Sequence, residues 1–333
     1  MLTQTKTAPE AVTETRSNSI AFYDFHPQFD SMLSEVWQGL SETPKKIHPK
    51  FFYDARGSQL FDQICQLDEY YPTRTEVAIL EKYKQEIAEL AGEYAALIEM
   101  GSGSSHKIRI LLDAMQPAAY LPLDISRDHL ISSSQRLAEE YPWLDVHAAC
   151  IDYSTAWKLP YRAEKGQKVA FFPGSSIGNF DPEDAHNLLK EIAQLVGPKG
   201  NLIIGVDRVK DKNILEAAYN DHSGITAQFN LNLLQRINEE LDANFDLNNF
   251  SHKAFFNTEL NRIEMHLTSN IPQYIKVAGK TFFFEQDETL HTESSYKYSI
   301  ENFTQLALNA GFKCKQIWSD EKDWFSVYFL QVN

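Results

Sequence analysis

The sequence predicts an α/β protein, with an open, mostly parallel, doubly wound sheet joined to a smaller mixed α+β region. Three observations carry that expectation. A buried strand, a glycine turn and a helix follow one another in ALIEMGSGSSHKIRILLDAM, from Ala96 to Met115. Apolar runs alternating with helical patterns continue the rhythm as far as Asp207, and beyond it short period-two segments take over. Strands alternating with helices specify a parallel sheet, whereas period-two segments specify an antiparallel one.

Taken in order, residues 1 to 19 are polar and lack the apolar stretch of a signal peptide, so a flexible tail is expected there. From Ala21 to Tyr71, short helical patterns alternate with aromatic-rich turns, and Phe61, Ile64 and Leu67 share one face. Thr73 and Glu76 have the spacing of a capping box behind Pro72, and Leu80, Tyr83, Ile87 and Leu90 stripe the helix it would open. Leu97 and Ile98 end the first strand of the sheet. Gly101 and Gly103 let the next turn bend sharply and approach a ligand, and Ile108, Leu111, Leu112 and Met115 recur at helical spacing.

YLPLDIS forms a second strand ending at Asp124, with a helix from Leu130 to Glu140. VHAACIDYS forms a third, ending near Asp152 and Tyr153. KVAFFPGSSIGNF runs from a fourth strand into the loop Gly174–Asn179, and Asp181 with Pro182 starts the next helix as cap and first-turn proline. NLIIGVD is the fifth strand. Two helical patterns then end at Leu241, followed by KAFFN, NRIEMHLTS, QYIKVAG and KTFFFEQ as antiparallel strands. Helix ENFTQLALNAG and strands FKCKQIW and WFSVYFL return to the first sheet.

Composition narrows the function. Of 333 residues, 43% are apolar and 23% charged, which suits a soluble chain with a sizeable core. A net charge of −15 repels phosphate backbones and anionic membranes, so neither nucleic acid nor membrane is an expected partner. Three cysteines without a C-x-x-C pair exclude a disulfide framework and a zinc site, and they fit the reducing cytoplasm. No run is long and uncharged enough to span a bilayer. No nucleophile elbow and no pair of metal-spaced histidines accompanies Glu293, so acyl-enzyme and metal-assisted chemistry are not expected.

The turn itself selects among ligands. A dinucleotide fingerprint needs a third glycine where this chain has His106, because that glycine lets the helix pack closely on the strand while its N-terminus meets a pyrophosphate. S-adenosylmethionine carries no phosphate and does not need that arrangement. Asp124, at the end of the second strand, can accept from both ribose hydroxyls, or it can cap the following helix. Asp152 can accept from an adenine amino group while Tyr153 offers a ring face, or the pair is an ordinary turn. Lys107 can meet the cofactor's carboxylate or remain a solvated lysine.

FYDARGSQLFDQI, YYPTRTE, EMGSGSSHK, GSSIGNF, YNDHSGITAQFN, RIEMHL and HTESS together resemble the L-histidine Nα-methyltransferases of ergothioneine biosynthesis, from about Phe51 to Ser299. The resemblance implies a Rossmann-like, class I sheet that binds S-adenosyl-L-methionine (76–208 and 299–333). It also implies a smaller α+β substrate-binding domain (20–75 and 209–298) and a product, Nα,Nα,Nα-trimethyl-L-histidine or hercynine. It places the cofactor at Gly101, Lys107, Asp124, Asp152 and Tyr153. L-histidine falls at Tyr71, Asn179, Tyr219, Met265, Glu293 and Ser295, with Asn179 and Tyr53 nearest the transfer as catalytic residues and the chain acting as a monomer.

Those roles make chemical sense. Glu293 and Ser295 share a face if extended, and a carboxylate plus a hydroxyl satisfies the two nitrogens of an imidazole. The Asn179 side-chain oxygen would hold the α-amino group, and the Tyr71 and Tyr219 hydroxyls would donate to the α-carboxylate. Each residue also has a plain structural reading: exposed strand for Glu293 and Ser295, loop for Asn179, core or rim for the tyrosines, packing beside Ile263 and Leu267 for Met265. The rival functions are methylation of another amine, such as tryptophan, and non-catalytic binding of an adenosyl ligand.

Overall fold

A computed structural model describes residues 14–17, 20–25, 29–103, 106–152 and 166–333. In chain order its elements begin with β1 (Glu14–Ser17), β2 (Ile20–Asp24), α1 (Phe29–Ser41), β3 (Lys45–Lys46), α2 (Ala55–Ile64) and α3 (Tyr71–Ala91). The alternating section follows as β4 (Ala96–Met100), α4 (His106–Met115), β5 (Ala119–Asp124), α5 (Arg127–Glu140), β6 (Asp145–Cys150), β7 (Lys168–Phe172), α6 (Pro182–Val196) and β8 (Asn201–Asp207). Next come α7 (Lys212–Ala217), α8 (Ile225–Leu241), β9 (Phe250–Asn257), β10 (Arg262–Ser269), β11 (Gln273–Val277), β12 (Lys280–Phe284) and β13 (Thr289–Tyr296). The chain closes with α9 (Ile300–Asn309), β14 (Phe312–Ser319) and β15 (Phe325–Val332).

The nine-stranded sheet has the order β1-β2-β6-β5-β4-β7-β8-β15-β14. Strands β2, β6, β5, β4, β7 and β8 are parallel, and β15 runs antiparallel to β8. Parallel strands covered on both faces are apolar throughout, and KVAFF shows why: Phe171 enters one core and Phe172 the other, each fully buried. Each such ring contributes about 1.5–3 kcal/mol of burial. The strand order reverses between β4 and β7, and ligands bind beyond the carboxyl ends of strands at that point.

A four-stranded sheet, β3-β13-β10-β9, and the hairpin β11-β12 build the second region over its own core. It is tied to the large sheet by β13. Just past its end, Tyr298 donates its N–H to the Asp207 carbonyl, and Arg208 and Tyr298 form a parallel bridge beside β8.

Three expectations need correction. Glu14–Ser17 is an edge strand of the large sheet, and Ile20–Asp24 lies next to it, parallel to β6; they are neither tail nor substrate region. A boundary between residues 75 and 76 cuts α3, which begins at Tyr71. Thr73 does not open that helix, because Pro72 already supplies its first turn, and Glu76 is turned inward to other partners. Among the described residues no helix is long and apolar enough to cross a membrane.

Candidate active site

The carboxyl ends of β4, β5, β6 and β7 open into a cavity of about 1170 Å³ whose far wall is β13 and the turn before α2. That exceeds a usual small-molecule pocket and leaves room for two ligands side by side. Gly101, Lys107, Asp124 and Asp152 line one end; Tyr53, Tyr70, Asn179 and Glu293 line the other. Tyr153 lies outside the described residues.

At the first end, Gly101 and Gly103 adopt φ of 71° and 43°, the left-handed region that the turn demands. Gly101 and Ser102 both donate to the Leu123 carbonyl, which fastens the turn to β5. Asp124 Oδ2 accepts from the Gly103 N–H at 3.1 Å and Oδ1 from the Ser126 N–H at 2.8 Å. Burial raises its pKa against the pull of these backbone donors. The helix cap is Ser126, so Asp124 braces the turn and still presents its carboxylate to the cavity. The Ser102 hydroxyl is buried on the cavity wall without a hydrogen-bond partner, as expected where a polar ligand completes the site. These groups fit the adenosyl ligand.

Asp152 and Lys107 come to the cavity already paired. Asp152 accepts from Lys50 Nζ at 2.9 Å, and Lys50 also binds Glu35, which ties α1 to the end of β6. Lys107 Nζ donates to Glu76 Oε2 at 2.6 Å, and the same oxygen accepts the Gly174 N–H at 2.9 Å. The wholly buried Glu76 therefore joins α3, α4 and the loop after β7. Glu99 is also buried at this end; desolvation lifts its pKa to about 8 although Tyr120 donates to it.

At the second end, the turn Ser176–Asn179 follows Ser175, whose hydroxyl accepts the Asp207 N–H at 2.9 Å. Gly178 seats this turn directly on β13; a Cβ there would lie 2.7 Å from the Tyr296 carbonyl oxygen. Asn179 thereby faces the cavity. So does Glu293, whose pKa is lifted to about 7 by burial, with Lys297 opposing. Tyr53 packs edge-on against Phe61 and Phe229 at 5.8 and 5.9 Å.

Four expected substrate residues are placed differently. The Tyr71 hydroxyl donates to Asp207 and accepts from Lys210 at 2.7 Å, so it is spent in a buried network away from the lining. Its neighbour Tyr70, which sequence reasoning passed over, lies on the cavity wall with its ring edge-on to Tyr219 at 6.2 Å. Met265 pairs with Glu293 across β10 and β13, and its side chain packs in the core with Ile263 and Leu267. Tyr219 and Ser295 form a buried pair behind the lining. The Tyr219 hydroxyl donates to Ser295 Oγ at 2.9 Å, which leaves it unavailable to an α-carboxylate.

A second cluster lies outside the expected set. Glu264, His266 and His291 bring three ligand atoms within 4.8 Å of one another. Glu264 is held by Arg262 and Asn257, the two imidazoles stack at 4.8 Å, and their Nε2 atoms are already engaged, His266 with Glu264 and His291 with the Glu293 carbonyl, each at 3.0 Å.

The model of histidine-specific, SAM-dependent methyltransferases matches residues 32–332. The chain belongs to that family. It is 40% identical over 305 residues to the histidine N-alpha-methyltransferase of Mycolicibacterium smegmatis, covering 90% of this chain and 94% of that one. It is 38% identical over 299 residues to the enzyme of the same name from Mycobacterium tuberculosis, covering 88% and 92%. With ergothioneine biosynthesis protein 1 of Neurospora crassa it shares 31% identity over 297 residues, 83% of this chain but 32% of that longer protein. The chain's methyl donor is therefore S-adenosylmethionine.

Proposed function

We infer that the chain transfers methyl groups from S-adenosyl-L-methionine to the α-amino nitrogen of L-histidine, giving hercynine on the route to ergothioneine. The observation that supports this most directly is the single cavity. It joins the glycine turn and Asp124 at one end to Asn179 and Glu293 at the other. The bound sulfonium supplies an activated methyl group, so the protein's task is alignment and exclusion of water.

Asp124 keeps a free lone pair on each oxygen for the ribose hydroxyls, and Asp152 offers its carboxylate to the adenine amino group. Lys107, steadied by Glu76, faces the donor's carboxylate. Asn179 holds the α-amino group through its side-chain oxygen and gives up one hydrogen bond each time a methyl replaces an N–H. The attacking amine must be neutral, since an ammonium has no lone pair. Glu293 accepts from an imidazole nitrogen, and Tyr53 and Tyr70 wall the ring.

The test is mass spectrometry of purified protein with the methyl donor and an equimolar amino-acid mixture. Histidine should gain three methyl groups while tryptophan stays unchanged. Unmodified histidine, or methylated tryptophan, would overturn the reading.

A further inference from the structure

We propose that Glu76 is a positioning residue for methyl transfer: one of its oxygens ties the lysine that grips the donor's carboxylate to the loop that carries Asn179, and so fixes how the amine faces the sulfur. The inference rests on Lys107 meeting the donor's carboxylate and on Asn179 holding the amine.

The need for such a tie comes from the reaction. Nitrogen, methyl carbon and sulfur must stand in line, and a misplacement of about 1 Å costs about 10²-fold in rate. The two partners are gripped from different elements, the donor by the turn after β4 and by Lys107 on α4, the amine by the turn after β7. Strands β4 and β7 pair only as far as Glu99 and Phe171. Beyond that register the ladder no longer sets the distance between a long lysine side chain and a loop.

Glu76 spans that gap from α3. Its side chain is fully buried behind the cavity lining, and Oε2 accepts both from Lys107 Nζ at 2.6 Å and from the Gly174 N–H at 2.9 Å. The backbone of β8 stands against the other oxygen, since a Cβ on Gly205 would lie 1.9 Å from Oε1. With one hydrogen on Glu76, the Lys107 ammonium keeps two for a ligand in the cavity that it lines.

From Gly174 the path to Asn179 is short and stiff. Ser175 Oγ accepts the Asp207 N–H at 2.9 Å, and the Ser176 hydroxyl donates to the Pro173 carbonyl at 2.9 Å. The Gly178 N–H donates to the Ser175 carbonyl at 2.8 Å. A shift of Gly174 is therefore carried through the turn to Asn179, while the same oxygen holds Lys107.

The experiment is a single-turnover measurement of methyl transfer to L-histidine, with both substrates saturating. It is joined to calorimetry of S-adenosylhomocysteine and of 5′-methylthioadenosine, which keeps the adenosyl group and sulfur but lacks the carboxylate. Glu76→Asp retains the charge but is one methylene short, so it reaches Lys107 or Gly174 and not both. Its rate should fall about 10- to 100-fold. S-adenosylhomocysteine should bind about fivefold or more weakly while 5′-methylthioadenosine stays within about twofold. Glu76→Gln removes the charge that draws two donors to one oxygen; its rate should fall likewise, and it decides the matter alone if Glu76→Asp does not fold.

A wild-type rate in either folded variant, or equal weakening of the two ligands in Glu76→Asp, overturns the proposal. A merely structural contact would change stability and neither of these readouts. Wild-type protein that binds the two ligands equally would instead overturn the placing of the donor's carboxylate at Lys107, and unmethylated histidine the substrate assignment.

Discussion

Glu293→Gln should make the protein more stable at pH 8 while weakening its hold on histidine. Burial keeps the Glu293 carboxyl at about 7 instead of the ordinary 4.5. Because the folded carboxyl binds its proton more tightly than the unfolded one, the stability is complete below pH 4.5 and falls as the pH rises to about 7. Above that a constant deficit remains, at most about 3 kcal/mol from 1.36 kcal/mol per pH unit. Cavity water reaches part of the carboxylate, so about 1–3 kcal/mol is the working figure.

Glutamine has the same shape and no charge, so it removes the deficit. Thermal unfolding should show the variant ahead by a few degrees at pH 8 and level with wild type at pH 4.5. The same change deletes a charge-assisted acceptor for the ring, so the KM for histidine should rise about 10- to 100-fold. The S-adenosylhomocysteine affinity should stay within about twofold. A variant less stable than wild type at pH 8, or a parallel loss of cofactor affinity, would refute the reasoning.

Asp124→Ala should do the reverse, with calorimetry showing S-adenosylhomocysteine binding weakened by about tenfold or more and histidine binding little changed. Tyr71→Phe removes a donor from the buried Asp207 carboxylate and should cost about 1–3 kcal/mol in denaturant unfolding, with the KM for histidine unchanged in the folded fraction. Tyr70→Phe should leave unfolding nearly unaffected and alter that KM; the opposite pattern in this pair would reinstate Tyr71 as the cavity residue.

Much of the fold was legible because its signals are local. Runs such as NLIIGVD and KVAFF declare strands buried on both faces, and a turn with two glycines marks a backbone that leaves the right-handed region. The ends of those strands lie where open sheets put ligands, which is why Gly101, Asp124, Asp152 and Asn179 share a cavity. The choice between Tyr70 and Tyr71 was not legible, since adjacent residues at a helix start point in different directions and Pro72 fits either register. Glu76 satisfied a capping pattern by spacing alone, yet its partners Lys107 and Gly174 come from elements far along the chain. The strand Ile20–Asp24 is short, and the partner that brings it into the sheet, β6, is remote in sequence.

Gly178 brings the turn bearing Asn179 onto β13 backbone against backbone, and the same strand goes on to lie beside the tip of β8. The spacing between Asn179 and the strand that carries Glu293 is therefore inherited from peptide geometry. On the proposed pose, side chains hanging from β13 could therefore be exchanged to admit a different ring while the nitrogen keeps its aim at the sulfur. Inserting one residue between Tyr296 and Ser299 would shift the register and spoil both at once.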